Sequence, residues 1–176
     1  MIKILFSLLL LTCISGIAQA AEMPAKLKPY ITKGQIVGQG RLMFGLWSIY
    51  DVQLFAGNGV YAPNKPIALV YSYLRNVKGK DIADSSRDEI KRLGMKDPAK
   101  LAAWHTQLVA MIPDVHKGTV MSAVHIPGKQ TIFLKNGKVI GAIRDKEFGR
   151  YFFDIWLSPK TKEPKLRAAL LGKTPS

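Results

Sequence analysis

The spacing of apolar residues changes along this chain from about two to about 3.6 and back again. In "QIVGQGRLMFGLWSIYDVQLFAG" the even positions Leu42, Phe44, Leu46, Tyr50, Val52 and Leu54 share one face, with Met43, Trp47 and Ile49 apolar among the odd ones. That predicts a long strand, covered on both faces in its first half and on one in its second. After the turn-rich "GNGVYAPNKP", the stretch "IALVYSYLRNV" reads as a second strand with Leu69, Tyr71 and Tyr73 on one face. The period then becomes helical. "SSRDEIKRLG" carries a capping-box pattern at Ser85 and Asp88, with Gly94 as its stop. "DPAKLAAWHTQLVAMIP" has Asp97 as N-cap, Pro98 in the first turn and Leu101, Trp104, Leu108 and Met111 at helical spacing. "TVMSAVHI" and "TIFLKNGKVIGAI" return to strands, and Asn136-Gly137 marks a hairpin. Asp145 then caps "FGRYFFDIWLSP", which Pro159 ends, and a last helix runs from about Glu163 to Leu171 with Gly172 as its stop.

The helix from Phe148 is apolar nearly all round. Phe148, Phe152 and Ile155 form one stripe, and Tyr151 and Trp156 widen it. Such a helix packs between layers, as core or as the wall of a pocket. Strands, two helices, strands, two helices, with no internal repeat and no βαβ alternation, predict an α+β domain with an antiparallel sheet and helices on one side.

The N-terminus changes the domain picture. Lys3, an apolar run from Ile4 to Leu11 and the small-residue pattern Ala18-Gln19-Ala20 have the layout of a secretory signal cleaved after Ala20. The expected division is a signal at 1–20, a linker ("AEMPAKLKPY") and first strand at 21–35, and one domain at 36–176. Removing 20 of 176 residues leaves 156, enough for one real core. The single cysteine, Cys13, goes with the signal, and the protein is expected in the periplasm or secreted. Losing Lys3 takes one unit from the formal +14 and leaves +13. That balance favours anionic partners, an anionic membrane surface among them. The basic residues are dispersed, no nucleic-acid motif appears, and nucleic acid is not an expected partner. His105, His116 and His125 lack metal-ligand spacing. There is no nucleophile elbow or phosphate loop, and no cofactor is expected.

Read together, "GQGRLMFGLWSIYDVQLF", "IPDVHKGTV", "FLKNGKVIGAIRDKEF" and "FFDIWLSPKTKEPKLRAALLG" resemble the chalcone isomerase-like family, in its bacterial exported branch. The resemblance covers about Val37 to Gly172. It implies an open-faced β-sandwich, a large curved antiparallel sheet covered by a layer of helices, with a ligand cleft between them. It implies one of two activities: isomerisation, in which a phenolate oxygen closes onto an enone, or non-catalytic binding of fatty acids in the same cleft. The isomerase residues carry over poorly. Gly45 stands where a strand threonine belongs. "GKDIADSSRDEI" lacks the tyrosine and asparagine of a tyrosine-lysine-asparagine set, and the late hydroxyl position falls near Ile155. No catalytic residue is therefore assigned.

An arginine survives at Arg41. It either reaches into the cleft to pair with a carboxylate or ends a strand in solvent. Tyr50, Tyr71 and Tyr73 either offer hydroxyls inside the cleft or pack the sheet, and Trp47 is core or cleft wall. The candidate binding set is Arg41, Tyr50, Tyr73 and Trp47, and the expected ligand a small apolar carboxylate. The alternatives are an isomerase of the chalcone type and a cationic envelope protein docking on anionic lipid or a protein.

Overall fold

The computed structural model describes residues 22–173. The expected signal at 1–20, with Cys13, lies outside them. Six strands form one antiparallel sheet in chain order: β1 (Gly34–Phe44), β2 (Trp47–Gly57), β3 (Ile67–Tyr73), β4 (Val120–Ile126), β5 (Gln130–Lys135) and β6 (Lys138–Ile143). Four helices, α1 (Gly79–Arg92), α2 (Pro98–Met111), α3 (Phe148–Leu157) and α4 (Pro164–Leu170), complete an α+β domain. The sheet is open, with β1 and β6 at its edges.

The period-two pattern sets the two faces. Val52 and Leu54 of β2 and Leu69 of β3 point at the helices, where they meet Trp104 of α2, Phe148 and Phe152 of α3, and Leu170 of α4. The expected buried helix is thus α3, whose Phe148 and Phe152 rings stack 5.5 Å apart. Asp145 serves its start, accepting hydrogen bonds from the backbone N–H of Glu147 and Phe148. α4 lies on β1 at Gly38, where a Cβ would overlap the carbonyl oxygen of Ala169. Only glycine permits that approach.

The other face carries a second core. Phe55, Ala68, Val70, Val124, Ile132 and Leu134 pack there under Met23, Leu27 and Ile31. The segment expected to be a linker therefore lies across the sheet, with Leu27 and Ile31 1% and 2% exposed. Met23, Leu27 and Ile31 are four residues apart, and a short 3₁₀ turn at Ala25–Leu27 helps aim them to one side.

Two other expectations are corrected. The long strand through Leu42–Leu54 is a hairpin, folding back at Gly45-Leu46. Gly45 takes φ +57°, the positive φ that a two-residue II′ turn needs at its first position. Phe44 and Leu46 are then not buried on a common face with Tyr50 but stand in solvent, 77% and 95% exposed. Helix α1 begins at Gly79, six residues before the capping-box serine. Its start is served from outside the helix: the Gly79 N–H donates to Asp114 Oδ1 at 2.8 Å, and Ser85 sits mid-helix. The remaining signals match their elements. Asp97 Oδ1 accepts from the Lys100 N–H at the start of α2. Asn136 and Gly137 both have positive φ between β5 and β6.

The strands are not straight throughout. Val37 is an extra residue in β1 opposite β2, Ile49 one in β2, and Ile140 one in β6 opposite β5.

Candidate ligand cavity between the sheet and the helices

A cavity of about 370 Å³ opens between the first strands and helices α1 and α3. Its sheet side is laid by alternation. Tyr50 of β2 is paired with Tyr73 of β3, and Tyr71 lies two residues before Tyr73, so all three rings stand on the helix-facing side. Tyr50 meets Tyr71 and Tyr73 edge to face at 5.3 and 5.4 Å. The bulge at Ile49 turns that residue to the cavity as well, beside Leu42 of β1. On the helix side α3 contributes Phe152, Ile155 and Trp156, and α1 contributes Ile82, Ser85 and Glu89.

The polar groups are few and ordered. Trp156 Nε1 donates to Tyr50 Oη at 3.0 Å. The hydroxyl of Tyr71 is buried and has no partner. Burial, with neighbouring phenols, pushes Tyr50 and Tyr71 well above the usual tyrosine range, and burial does the same to Tyr73. All three are therefore neutral phenols at any ordinary pH, available as hydrogen-bond donors. Charge is confined to the mouth. Asp81, Glu89 and Glu163 line it, with Lys162 as the one lining cation among the described residues. Lys162 Nζ is already 2.5 Å from Glu89 Oε1. Desolvation raises the Glu89 carboxyl, but hydrogen bonds from Lys162 and Arg92 outweigh it and hold the group below its usual range.

Of the four residues singled out from sequence, the structure brings Tyr50 and Tyr73 together on the cavity wall. Arg41 is placed elsewhere. It is directly across from Asp51 in the β1–β2 register, and its Nε and Nη2 donate to the two carboxylate oxygens at 2.6 and 3.0 Å. Leu42 and Tyr50 face the cavity, so alternation turns Arg41 and Asp51 to the opposite side. Trp47 is 60% exposed at the hairpin end, with the Arg75 guanidinium 4.2 Å over its ring. Gly45 has open space around it at the turn, so the residue aligned with the isomerase threonine is not a cavity residue. Tyr71 belongs with the site, as do Glu89 of α1 and Ser85, the residue expected to cap that helix. The signal for Tyr71 was its i, i+2 relation to Tyr73.

The histidines stand apart. His105 Nε2 is 2.7 Å from Asp84 on the outer side of α1 and α2. His125 is buried against Phe153, and burial lowers its pKa. Among the described residues no group of histidine, cysteine and carboxylate side chains is arranged to hold a metal ion.

Residues 55–172 match the model of a family described as chalcone isomerase-like. A protein of Haemophilus influenzae, itself described as uncharacterised, is 29% identical over 143 residues, which cover 81% of this chain and 70% of that one. Among solved structures, a fatty-acid binding protein of Arabidopsis thaliana superposes with a TM-score of 0.62 at 12% identity, covering 80% of this chain and 87% of that one.

Proposed function

Since the chain belongs to the chalcone isomerase-like family, we propose that it is an exported, non-catalytic binding protein that holds a small, largely apolar ligand built on an acyl chain. The observation that carries this is the cavity: about 370 Å³ with aromatic and aliphatic walls and a few convergent hydroxyls. That size and lining suit a small-molecule site. The plant structure that shares the fold is named for fatty-acid binding, which makes an acyl chain the first ligand to try. The export reading rests on the N-terminal pattern ending at Ala20.

Material purified from the periplasm is extracted and analysed by mass spectrometry, and its N-terminus is sequenced. An apolar acyl compound and a start at Ala21 are expected. The companion variant Ile155→Trp fills the cavity from α3, and should abolish saturable uptake of a neutral acyl-chain probe while keeping the thermal midpoint. A wild-type protein that takes up no such probe overturns the binding reading.

The hairpin end supports a second reading, docking on an anionic membrane surface. Phe44, Leu46 and Trp47 stand out of the β1–β2 turn, all at least 60% exposed. Arg75 and Lys117 line the shallow depression beside Trp47. An apolar tip with a cationic collar suits an interface of lipid headgroups. Co-sedimentation with vesicles rich in phosphatidylglycerol, lost in Leu46→Asp and absent with phosphatidylcholine alone, is the expected result. Equal recovery in the supernatant with both vesicles would sink it.

A further inference from the structure

The charges around the cavity say what head group it accepts. A ligand carboxylate placed deep would lie beside Trp156 among the phenols of Tyr50, Tyr71 and Tyr73, donors without a positive charge. Buried anions need a paired cation as well as hydrogen bonds. A carboxylate left at the mouth would meet Asp81, Glu89 and Glu163 against Lys162 and, beside the lining, Arg92, both of which already pair with Glu89. Arg41, the cation on the neighbouring strand, faces away and is held by Asp51. Neither end of the cavity offers a free counter-charge, and the mouth carries an excess of negative charge.

One group does ask for a partner. Tyr71 lines the cavity, and its hydroxyl is buried and makes no hydrogen bond. An orphaned buried hydroxyl is costly, and a ligand oxygen that accepts its proton removes that cost. Its protonated phenol is matched to an acceptor with no charge: the carbonyl of an ester, aldehyde, ketone or quinone. Trp156 fixes the neighbouring Tyr50 oxygen as an acceptor, which leaves the Tyr50 proton free to point into the same space.

Building on the binding function proposed above, we infer that the cavity selects an uncharged acyl-type ligand, bound through a neutral acceptor oxygen at Tyr71, over the corresponding carboxylate. Discrimination comes from two sides. The donor floor rewards the neutral oxygen, and the acidic mouth opposes the anion by like charge.

The test uses the mature chain loaded with Nile red, a neutral reporter, and displaces it at pH 8 with methyl dodecanoate or with dodecanoate. The ester should compete at least tenfold more tightly. Tyr71→Phe should weaken the ester about tenfold, the loss of roughly one buried hydrogen bond, while the empty protein keeps or gains thermal stability because an unpaired hydroxyl has gone. Glu163→Gln should narrow the ratio between ester and acid by helping the acid. Dodecanoate binding as tightly as the ester, or tighter, would overturn the inference and leave the binding function standing. Full ester affinity in Tyr71→Phe would also overturn it. Failure of Nile red and both competitors to bind would instead remove the binding function itself.

Discussion

The indole N–H of Trp156 donates to the phenol oxygen of Tyr50 at 3.0 Å, tying α3 to β2 across 106 positions of sequence. The bond is buried and forms part of the cavity wall, so it links the stability of the domain to the shape of the site. Tyr50→Phe leaves the indole donor unpaired in an apolar place, which should cost about 1–3 kcal/mol. Trp156→Phe should cost more, since the smaller ring also leaves a void. In urea titrations the double variant should be less destabilised than the sum of the two, by about 1 kcal/mol. Strict additivity would show that the pair contributes nothing as a pair.

Arg41→Ala should leave the affinity for methyl dodecanoate unchanged. The guanidinium is exposed and spent on Asp51, on the face away from the cavity. An exposed ion pair contributes little to stability either, so the thermal midpoint should hardly move. Displacement of Nile red by the ester, measured side by side for wild type and variant, checks both statements. A tenfold loss would put Arg41 back in the site.

His125 makes stability fall on the acid side of neutrality. Its ring is buried and Nδ1 is unpartnered, and burial depresses its pKa in the folded state. The unfolded chain therefore binds a proton more readily below about pH 6.5. Stability from this group is present above that pH and is lost as pH falls toward the folded value. Urea unfolding at pH 7.5 and pH 5.5 should show a drop in wild type that is smaller in His125→Gln. An identical drop in both proteins would assign the acid sensitivity to other groups.

Naringenin chalcone should cyclise no faster with the protein than without it. An enolate forming in the cavity would find neutral phenols and, at the mouth, carboxylates, where electrostatic stabilisation calls for a positive charge. Absorbance decay at matched pH decides the matter. A protein-dependent rate that vanishes in Tyr71→Phe would reveal an isomerase that uses its phenols instead.

The main elements were legible because their signals are local. Asp97 with Pro98, Asn136-Gly137 and the stripe of α3 each sit inside the element they specify. The start of α1 was not legible, because its cap is Asp114, 35 residues further along the chain. The β1–β2 turn was hidden by composition: Phe44, Leu46 and Trp47 are apolar yet exposed, so no polar break marks the place where the chain reverses. The placement of Arg41 was within reach. With Leu42 and Tyr50 assigned to one face, strict alternation already sends residue 41 to the other. The acidic mouth was out of reach, since Asp81 and Glu89 come from α1 and Glu163 from the start of α4, and only the packing of α1 against α3 and the segment after it brings them together.

An open sheet keeps two rims of backbone that a neighbouring molecule's strand can extend, a route to aggregation. Here both rims are irregular. In β1 the extra residue Val37 disturbs the ladder, and in β6 the extra residue Ile140 does so after an exposed Lys138. Bulges at an edge twist it away from the flat register that a second molecule would need. The same irregularities that shape the ends of the sheet thus guard the chain against growing into fibrils strand by strand.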